Sequence, residues 1–441
     1  LSRDAIINNS LDNELLGRIE NQIAERRLNR FYSRTFTKRP PFSFYDIIEE
    51  AFVAAFTEDA IDQDANTLEK CYVKTPERIK FDQRINMHIA RRENILPRPP
   101  KRPMKNKQRT YFDESIKKTG LTKRPLAVLV VGQVGSGKTT FLSYTRNVSS
   151  APYFEEKEDG RYAHWIYIDY RNLAPGENSA EFLNKCIFNY INADTFLSNY
   201  DRCVKYAYKT EIEALTRGPI AMLGSDKSEV NRTIAQYMLE EYKNINTYVE
   251  NIIKYASSNV PVFLVVDNVD QFESDRYQSE LFSSAMAISR RLGMNLVLSM
   301  RDGTYVKHKS SAVIDAFDFD PIYIDPPDIN TVLSRRFAVA KNILSGVEKS
   351  FIGENGAKID LSDASIIIDL IQSSVLGTEV GELIDVMATS DVRLALRMTR
   401  EFLQFGYTQT GQALKTFQAT GKYQMPKHEA LRAIMLGNKN I

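Results

Sequence analysis

Cysteine is scarce in this sequence: the 441 residues hold three, Cys71, Cys186 and Cys203. Three scattered thiols build neither a disulfide framework nor a zinc site, and a reducing, cytoplasmic setting is the expectation. Histidine is nearly as rare, and the four residues stand far apart, so no histidine-built metal site is expected. No apolar run approaches the roughly 18 residues that cross a bilayer. The first ten residues, LSRDAIINNS, lack the zones of a signal peptide. The chain opens on Leu rather than Met, as a piece of a longer protein would. An excess of one charge is missing too: 58 Lys and Arg face 56 Asp and Glu, for a net charge of +2. Total charge therefore argues for no particular partner. What remains, 43% hydrophobic and 26% charged, is the composition of a globular protein, long enough for two or three domains.

Against these absences, residues 126–141 (LAVLVVGQVGSGKTTF) stand out. Leu126 to Val131 have the continuous apolar character of a buried parallel strand. They run into Gly132-Gln133-Val134-Gly135-Ser136-Gly137-Lys138-Thr139, which fits the G-x-x-x-x-G-K-[ST] phosphate loop, with Thr140 beginning a helix. Glycines such as Gly132, Gly135 and Gly137 let backbone N–H groups turn inward around a phosphate chain, and the helix N-terminus adds partial positive charge. In that pattern Lys138 reaches the β- and γ-phosphates of ATP and the Thr139 hydroxyl ligates Mg²⁺.

Strand and helix then alternate. HWIYIDY (164–170) reads as a second strand, and 178–207 and 228–258 as helices separated by the loop TRGPIAMLGSDKS. PVFLVVD ends a third strand on Asp267, placed to act on the Mg²⁺ shell. A helix over 276–292 leads to a fourth strand, 295–300, followed by Arg301, and Ile322–Ile324 forms a short fifth. The expected fold is α/β: a parallel five-stranded sheet with helices on both faces, ligands lying at the carboxyl ends of its strands. Gly132–Thr140, Asp267 and Ser299–Arg301 all fall at that edge.

The succession of phosphate loop, WIYID, VVDNVD and LVLSMRD resembles the AAA+ and STAND classes of P-loop ATPase, in particular origin-recognition-like and STAND signalling ATPases, over roughly 124–400. The resemblance implies that Lys138 and Thr139 are the phosphate-loop pair and Asp267 the Mg²⁺ aspartate. It places Ser299 and Arg301 where a γ-phosphate sensor sits. It also implies a helical lid after the core, and Thr389-Ser390-Asp391-Val392-Arg393 matches the segment whose arginine, here Arg393, reaches back to the nucleotide, with Asp391 as helix cap. A neighbouring subunit commonly completes such sites with an arginine; Arg290, Arg291, Arg335 and Arg336 are the candidates here. The setting implied is a bacterial signalling or defence ATPase. One departure matters: where many AAA+ motors carry a glutamate after the Mg²⁺ aspartate, this chain has Asn268, which cannot accept a proton. Either Asp270 substitutes or hydrolysis is slow.

The expected domains are a helical N-terminal region (1–90), a basic Pro-rich connector (91–123), the ATPase core (124–326), a helical lid (327–414) and, from 415 to 441, the opening of a winged-helix domain. Two basic stretches, 26–39 and 91–109, could contact a nucleic-acid backbone; the first reads equally as the polar face of a helix, the second as a solvated linker or a strand over an acidic neighbour. Three functions stay in play: a nucleotide-dependent oligomerising switch, an ATP-controlled DNA-binding initiator or transposition regulator, and a scaffold that binds nucleotide without turning it over. A small-molecule kinase also uses this loop, but the long helical lid and Arg393 speak against one.

Overall fold

The computed structural model describes residues 44–57, 64–90, 125–157, 162–174, 176–223, 227–272, 274–309, 319–352, 358–405 and 410–436. The basic stretches 26–39 and 91–109, and the first 43 residues of the expected helical N-terminal region, lie outside them. The chain divides into two compact units, one running from Tyr72 to Pro327, the other joining the chain up to Cys71 with the part from Asp328 onward. The division falls inside the stretch read from sequence as one N-terminal region. Helices α1 (Tyr45–Phe56) and α2 (Ala65–Cys71) go with the discontinuous unit, while α3 (Pro76–Ala90) opens the continuous one.

The continuous unit is built on five parallel strands, β1 (Ala127–Val131), β2 (His164–Asp169), β3 (Val262–Asp267), β4 (Asn295–Met300) and β5 (Asp320–Tyr323), in the order β2-β3-β4-β1-β5. Helix α4 (Lys138–Tyr144) follows β1. Between β2 and β3 run α5 (Ser179–Ala193), α6 (Lys209–Arg217), α7 (Lys227–Lys243) and α8 (Ile245–Asn259); α9 (Asp275–Leu292) joins β3 to β4, and α10 (Asp302–His308) follows β4. The path steps left from β1 to β2 and right ever after. Right-handed crossovers therefore place α4 on one face and the β2–β3 and β3–β4 helices on the other. On that second face Leu129, Val131, Ile166, Leu264, Val266, Leu296 and Leu298 are buried in one cluster with residues of α5, α8 and α9. On the first, Phe263 of β3 meets Phe154 and His88, and Phe141 of α4 meets Phe81 of α3 at 4.7 Å between ring centroids. Burial from both sides explains why β3 and β4, buried along their whole length, are mostly apolar instead of alternating.

The helices stop where side chains compete for the backbone. The helical run expected over 178–207 ends at Ala193 because the buried Asp194 carboxylate accepts the N–H groups of Phe196 and Leu197 (3.0 and 2.8 Å) and the Tyr162 hydroxyl (2.7 Å). The run over 228–258 breaks at Asn244, whose φ of −87° and ψ of 84° leave the helical region. The Gly/Pro-containing stretch between them, expected as loop, instead carries the end of α6 and a 3₁₀ turn over Pro219–Leu223.

In the discontinuous unit α11 (Ile329–Leu344) leads to an antiparallel ribbon, β6 (Lys349–Ile352) with β7 (Lys358–Leu361), inside the stretch read from sequence as a helical lid. Then come α12 (Ser365–Val375), α13 (Glu379–Ala388), α14 (Val392–Phe405), α15 (Thr410–Thr420) and α16 (Lys427–Leu436). Helix α11 packs on α1 through Phe337 and Phe56 (5.1 Å), and the buried Arg336 donates to the Ala55 carbonyl at 3.2 Å. Helix α16 packs on α13 and α14 within the same unit. Among the described residues no helix is long and apolar enough to cross a membrane.

Candidate functional site

Strands β3, β4 and β1 are neighbours, and the loops leaving their carboxyl ends share one edge. The connections after β1 and β4 depart to opposite faces, which opens a crevice of the kind where ligands bind in open parallel sheets. The phosphate-loop segment fills the β1 side. Gly132 donates to the Met300 carbonyl (3.3 Å), and a Cβ there would stand 2.6 Å from the Ile324 carbonyl oxygen and 2.7 Å from Ser136 Oγ. Only glycine fits so close a passage. Gly135 (φ 70°) and Gly137 (φ 82°) take left-handed conformations that side chains disfavour. Gly137 hands the chain to α4, whose first two residues are Lys138 and Thr139.

Lys138 Nζ donates to the carbonyls of Gly132 and Gln133 (2.8 and 2.9 Å). Burial pushes its pKa down, and the charges of Asp270, Asp267 and Asp302 oppose that. Thr139 Oγ1 donates to Asp267 Oδ2 at 2.7 Å, and the Tyr167 hydroxyl donates to the same oxygen at 3.0 Å. The Asn268 N–H donates to Oδ1 at 2.9 Å. Asp267 is 1% exposed, so this carboxylate ends its strand inside the protein with three donors on it. Burial, then the charges of Asp267 and Asp169, push the Tyr167 hydroxyl well above its ordinary pKa, so it stays a donor.

Asp270 is tied to the next strand: its Oδ2 accepts the Arg301 backbone N–H at 2.7 Å and stands 3.2 Å from Arg301 Nε. Its carboxylate is nearly buried, while the Arg301 side chain is about half exposed. Asn268 has φ 57°, and its amide donates to Asp169 Oδ1 at 2.9 Å. Asp169 ends β2 directly beside Asp267 and pairs with Arg171 at 2.6 Å. Burial works to raise the Asp169 pKa, but the bonds from Arg171 and Asn268 hold it below the usual carboxylate range. Ser299 lies inside β4 opposite Val130, and its buried Oγ, like that of Ser136, has no hydrogen-bond partner among the described residues. Thr140 follows in the first turn of α4.

Gly132 through Thr140, Asp267, Asp270, Ser299 and Arg301 are thus gathered in one unit. Arg393 belongs to the other unit, on the first turn of α14, where Asp391 caps the helix by accepting the Leu394 N–H at 3.0 Å. Of the arginines considered for a neighbouring site, Arg336 is 5% exposed and held inside its own unit, which removes it as a candidate. Arg291 is exposed beside Glu250, 3.8 Å away. Sequence reasoning missed Tyr167, Asp169 and Arg78. Tyr167 carried one usable signal: on an otherwise apolar strand, it stands two residues before a carboxylate.

A metal at this edge would meet hard oxygen donors, the Thr139 hydroxyl and the Asp267 carboxylate. Among the described residues no group of three or more His, Cys, Asp and Glu could hold a metal on its own. Two protein oxygens completed by phosphate and water oxygens are the way Mg²⁺ is commonly held, so the residues fit that ion.

No family model matches the chain, and no curated protein does. Among solved structures, the Aeropyrum pernix ORC1 protein in complex with DNA is similar at 13% identity, over 78% of this chain and 68% of that one, with a TM-score of 0.37. Cdc6p from Pyrobaculum aerophilum is similar at 12% identity (77% and 69% covered, TM-score 0.32), and C. elegans PCH-2 at 11% (76% and 71%, TM-score 0.32). At such scores none of them bears on what this chain binds.

Proposed function

We propose that this chain is an ATP-binding regulatory ATPase of the AAA+/STAND kind, a nucleotide-set switch that hydrolyses slowly and assembles with copies of itself in a signalling or defence role. The observation that carries the reading is the pairing of Thr139 with Asp267 at 2.7 Å, beside a glycine-built loop from which Lys138 projects. In the proposed cycle the loop N–H groups receive the phosphates, and Lys138 exchanges the Gly132 and Gln133 carbonyls for phosphate oxygens. Thr139 and Asp267 would hold Mg²⁺, which when bound neutralises phosphate charge. Arg301 turns from Asp270 toward the γ-phosphate, while its backbone N–H keeps the Asp270 carboxylate in place. That carboxylate, relieved of the guanidinium, is the acceptor for the proton of the attacking water. Asn268 contributes no base and is held by Asp169, which supports a slow cycle.

The test is ATP turnover and particle mass measured together on wild type and Asp270→Ala. An alanine chain that binds ATP and assembles but no longer hydrolyses supports the reading, and unchanged turnover removes Asp270 from it. A second reading, an ATP-controlled DNA-binding regulator, is favoured by the basic segments 26–39 and 91–109. Salt-dependent DNA binding that is lost on neutralising 98–109 would select it.

A further inference from the structure

Arg78 lies 58 residues before Ser136 in sequence, on the first turn of α3, and is only 3% exposed. Its guanidinium donates through Nη2 to the Ser136 carbonyl at 2.8 Å and through Nη1 to the Val73 carbonyl at 3.3 Å. It lies over the Tyr72 ring, 5.2 Å from the centroid, and Tyr72 stacks on Tyr144 of α4 at 3.8 Å. Among the described residues no carboxylate forms an ion pair with it, and its Nε is buried without a hydrogen-bond partner. The Asp82 carboxylate one turn along α3 feels its charge but bonds Thr145, so the buried cation is only partly compensated and costly to keep. An anion brought to the phosphate loop would lower that cost.

The bond falls on one particular peptide. In a trans peptide the C=O of residue i and the N–H of residue i+1 point in opposite directions. Holding the Ser136 carbonyl toward Arg78 therefore aims the Gly137 N–H the other way. Gly137, with φ 82°, tolerates either orientation of this peptide, so its own backbone does not fix the choice. A Cβ at Gly137 would sit 3.6 Å from Arg78 Nη2, which puts the guanidinium directly behind the turn. The rest of α3 is fastened down the same face: Asp82 accepts from Thr145 Oγ1 at 2.8 Å, and Asn86 accepts from Ser150 Oγ at 2.6 Å.

We propose that Arg78 is a positioning residue for phosphate binding: from α3 it pins the Ser136–Gly137 peptide so that the Gly137 N–H faces the phosphate chain, and it adds its own charge from behind. This rests on the phosphate-site reading above. The ligand class is a nucleoside triphosphate or diphosphate, and bare nucleoside gains nothing from Arg78.

The test compares full-length wild type with Arg78→Met, which keeps the stack on Tyr72 but has no donor, and Arg78→Lys, which restores donor and charge. Titration with ATP and with adenosine, alongside the melting temperature without ligand, gives the readout. The expected result is about a ten- to hundredfold loss of ATP affinity for the methionine chain, with lysine within about fivefold of wild type and adenosine unaffected. A packing role would be filled by methionine as well as by lysine, so equal ATP affinity of methionine and wild type, or equal losses with both variants, overturns the inference. If methionine prevents folding, Arg78→Gln replaces it: affinity within about fivefold of wild type supports the inference through the remaining amide donor, and a loss beyond about tenfold overturns it. Wild type that binds no ATP overturns the phosphate-site reading and this inference together, whereas wild-type binding with an indifferent Arg78→Met overturns this inference alone.

Discussion

Two carboxylates in the core do opposite things with their surroundings. Asp270 gains a backbone donor and a guanidinium from Arg301. Arg301→Ala should leave ATP binding within about threefold of wild type, because the loop and Lys138 remain, and should cut turnover at least tenfold by removing the proposed γ-phosphate contact. Single-turnover kinetics with saturating ATP separate the two effects. Asp82 is buried on α3, and that burial pushes its carboxyl up to about 6 although Thr145 and Ser149 donate to it. Between about pH 4 and 6 the folded chain then keeps a proton that the unfolded chain has lost, so stability falls as pH rises through that window and stays low above it. Asp82→Asn keeps the acceptor for Thr145 without the charge. It should raise stability at pH 8, by at most about 3 kcal/mol, and flatten the dependence between pH 4 and 6. Urea unfolding at several pH values checks both, and a variant that is less stable at pH 8 would contradict the account.

At the scale of elements, the core strands and the glycine-built turn after β1 were legible in the sequence, and the long-range supports were not. Strands β1, β3 and β4 are short, mostly apolar runs that stop at a polar or glycine residue, so Gly132, Asp267 and Arg301 mark their ends to within a residue. The helical runs after β2 were harder, because what ends α5 is a buried Asp194 engaged by Tyr162, a partner 32 residues away in the chain. The support from α3 to the loop was invisible for the same reason: nothing local in YVKTPERIK announces that Arg78 will reach the Ser136 carbonyl. The two-stranded ribbon of β6 and β7 was missed because strands of four residues leave too little pattern to read. Gly132 shows what close packing demands of an element junction. Gly132→Ala would push a methyl against the Ile324 carbonyl, which is backbone and cannot swing away. The cost should be about 1–3 kcal/mol, with ATP binding lost, as read from chemical denaturation and calorimetry.

At the scale of the whole molecule, the continuous unit holds the phosphate loop and the discontinuous unit holds Arg393, and a single chain passes between them twice, near residues 71 and 328. The proposed switch is a matter of linkage: if nucleotide binding is coupled to Arg393, nucleotide shifts the population that assembles. Arg393→Ala is then expected to leave ATP affinity within about tenfold of wild type while abolishing ATP-dependent assembly, as followed by particle mass. Assembly that proceeds unchanged would detach Arg393 from the switch.

The measurement that tests the central claim most directly is calorimetric titration of the full chain with ATP and Mg²⁺, wild type against Lys138→Ala. Lys138 takes no part in the packed core and, among the described residues, its side chain bonds two loop carbonyls, so its loss should spare the fold. The account predicts saturable one-site binding by wild type and at least a ten- to hundredfold weaker affinity, about 1.5–3 kcal/mol, for the alanine chain. Equal binding by both, or no binding by a folded wild type, would contradict it.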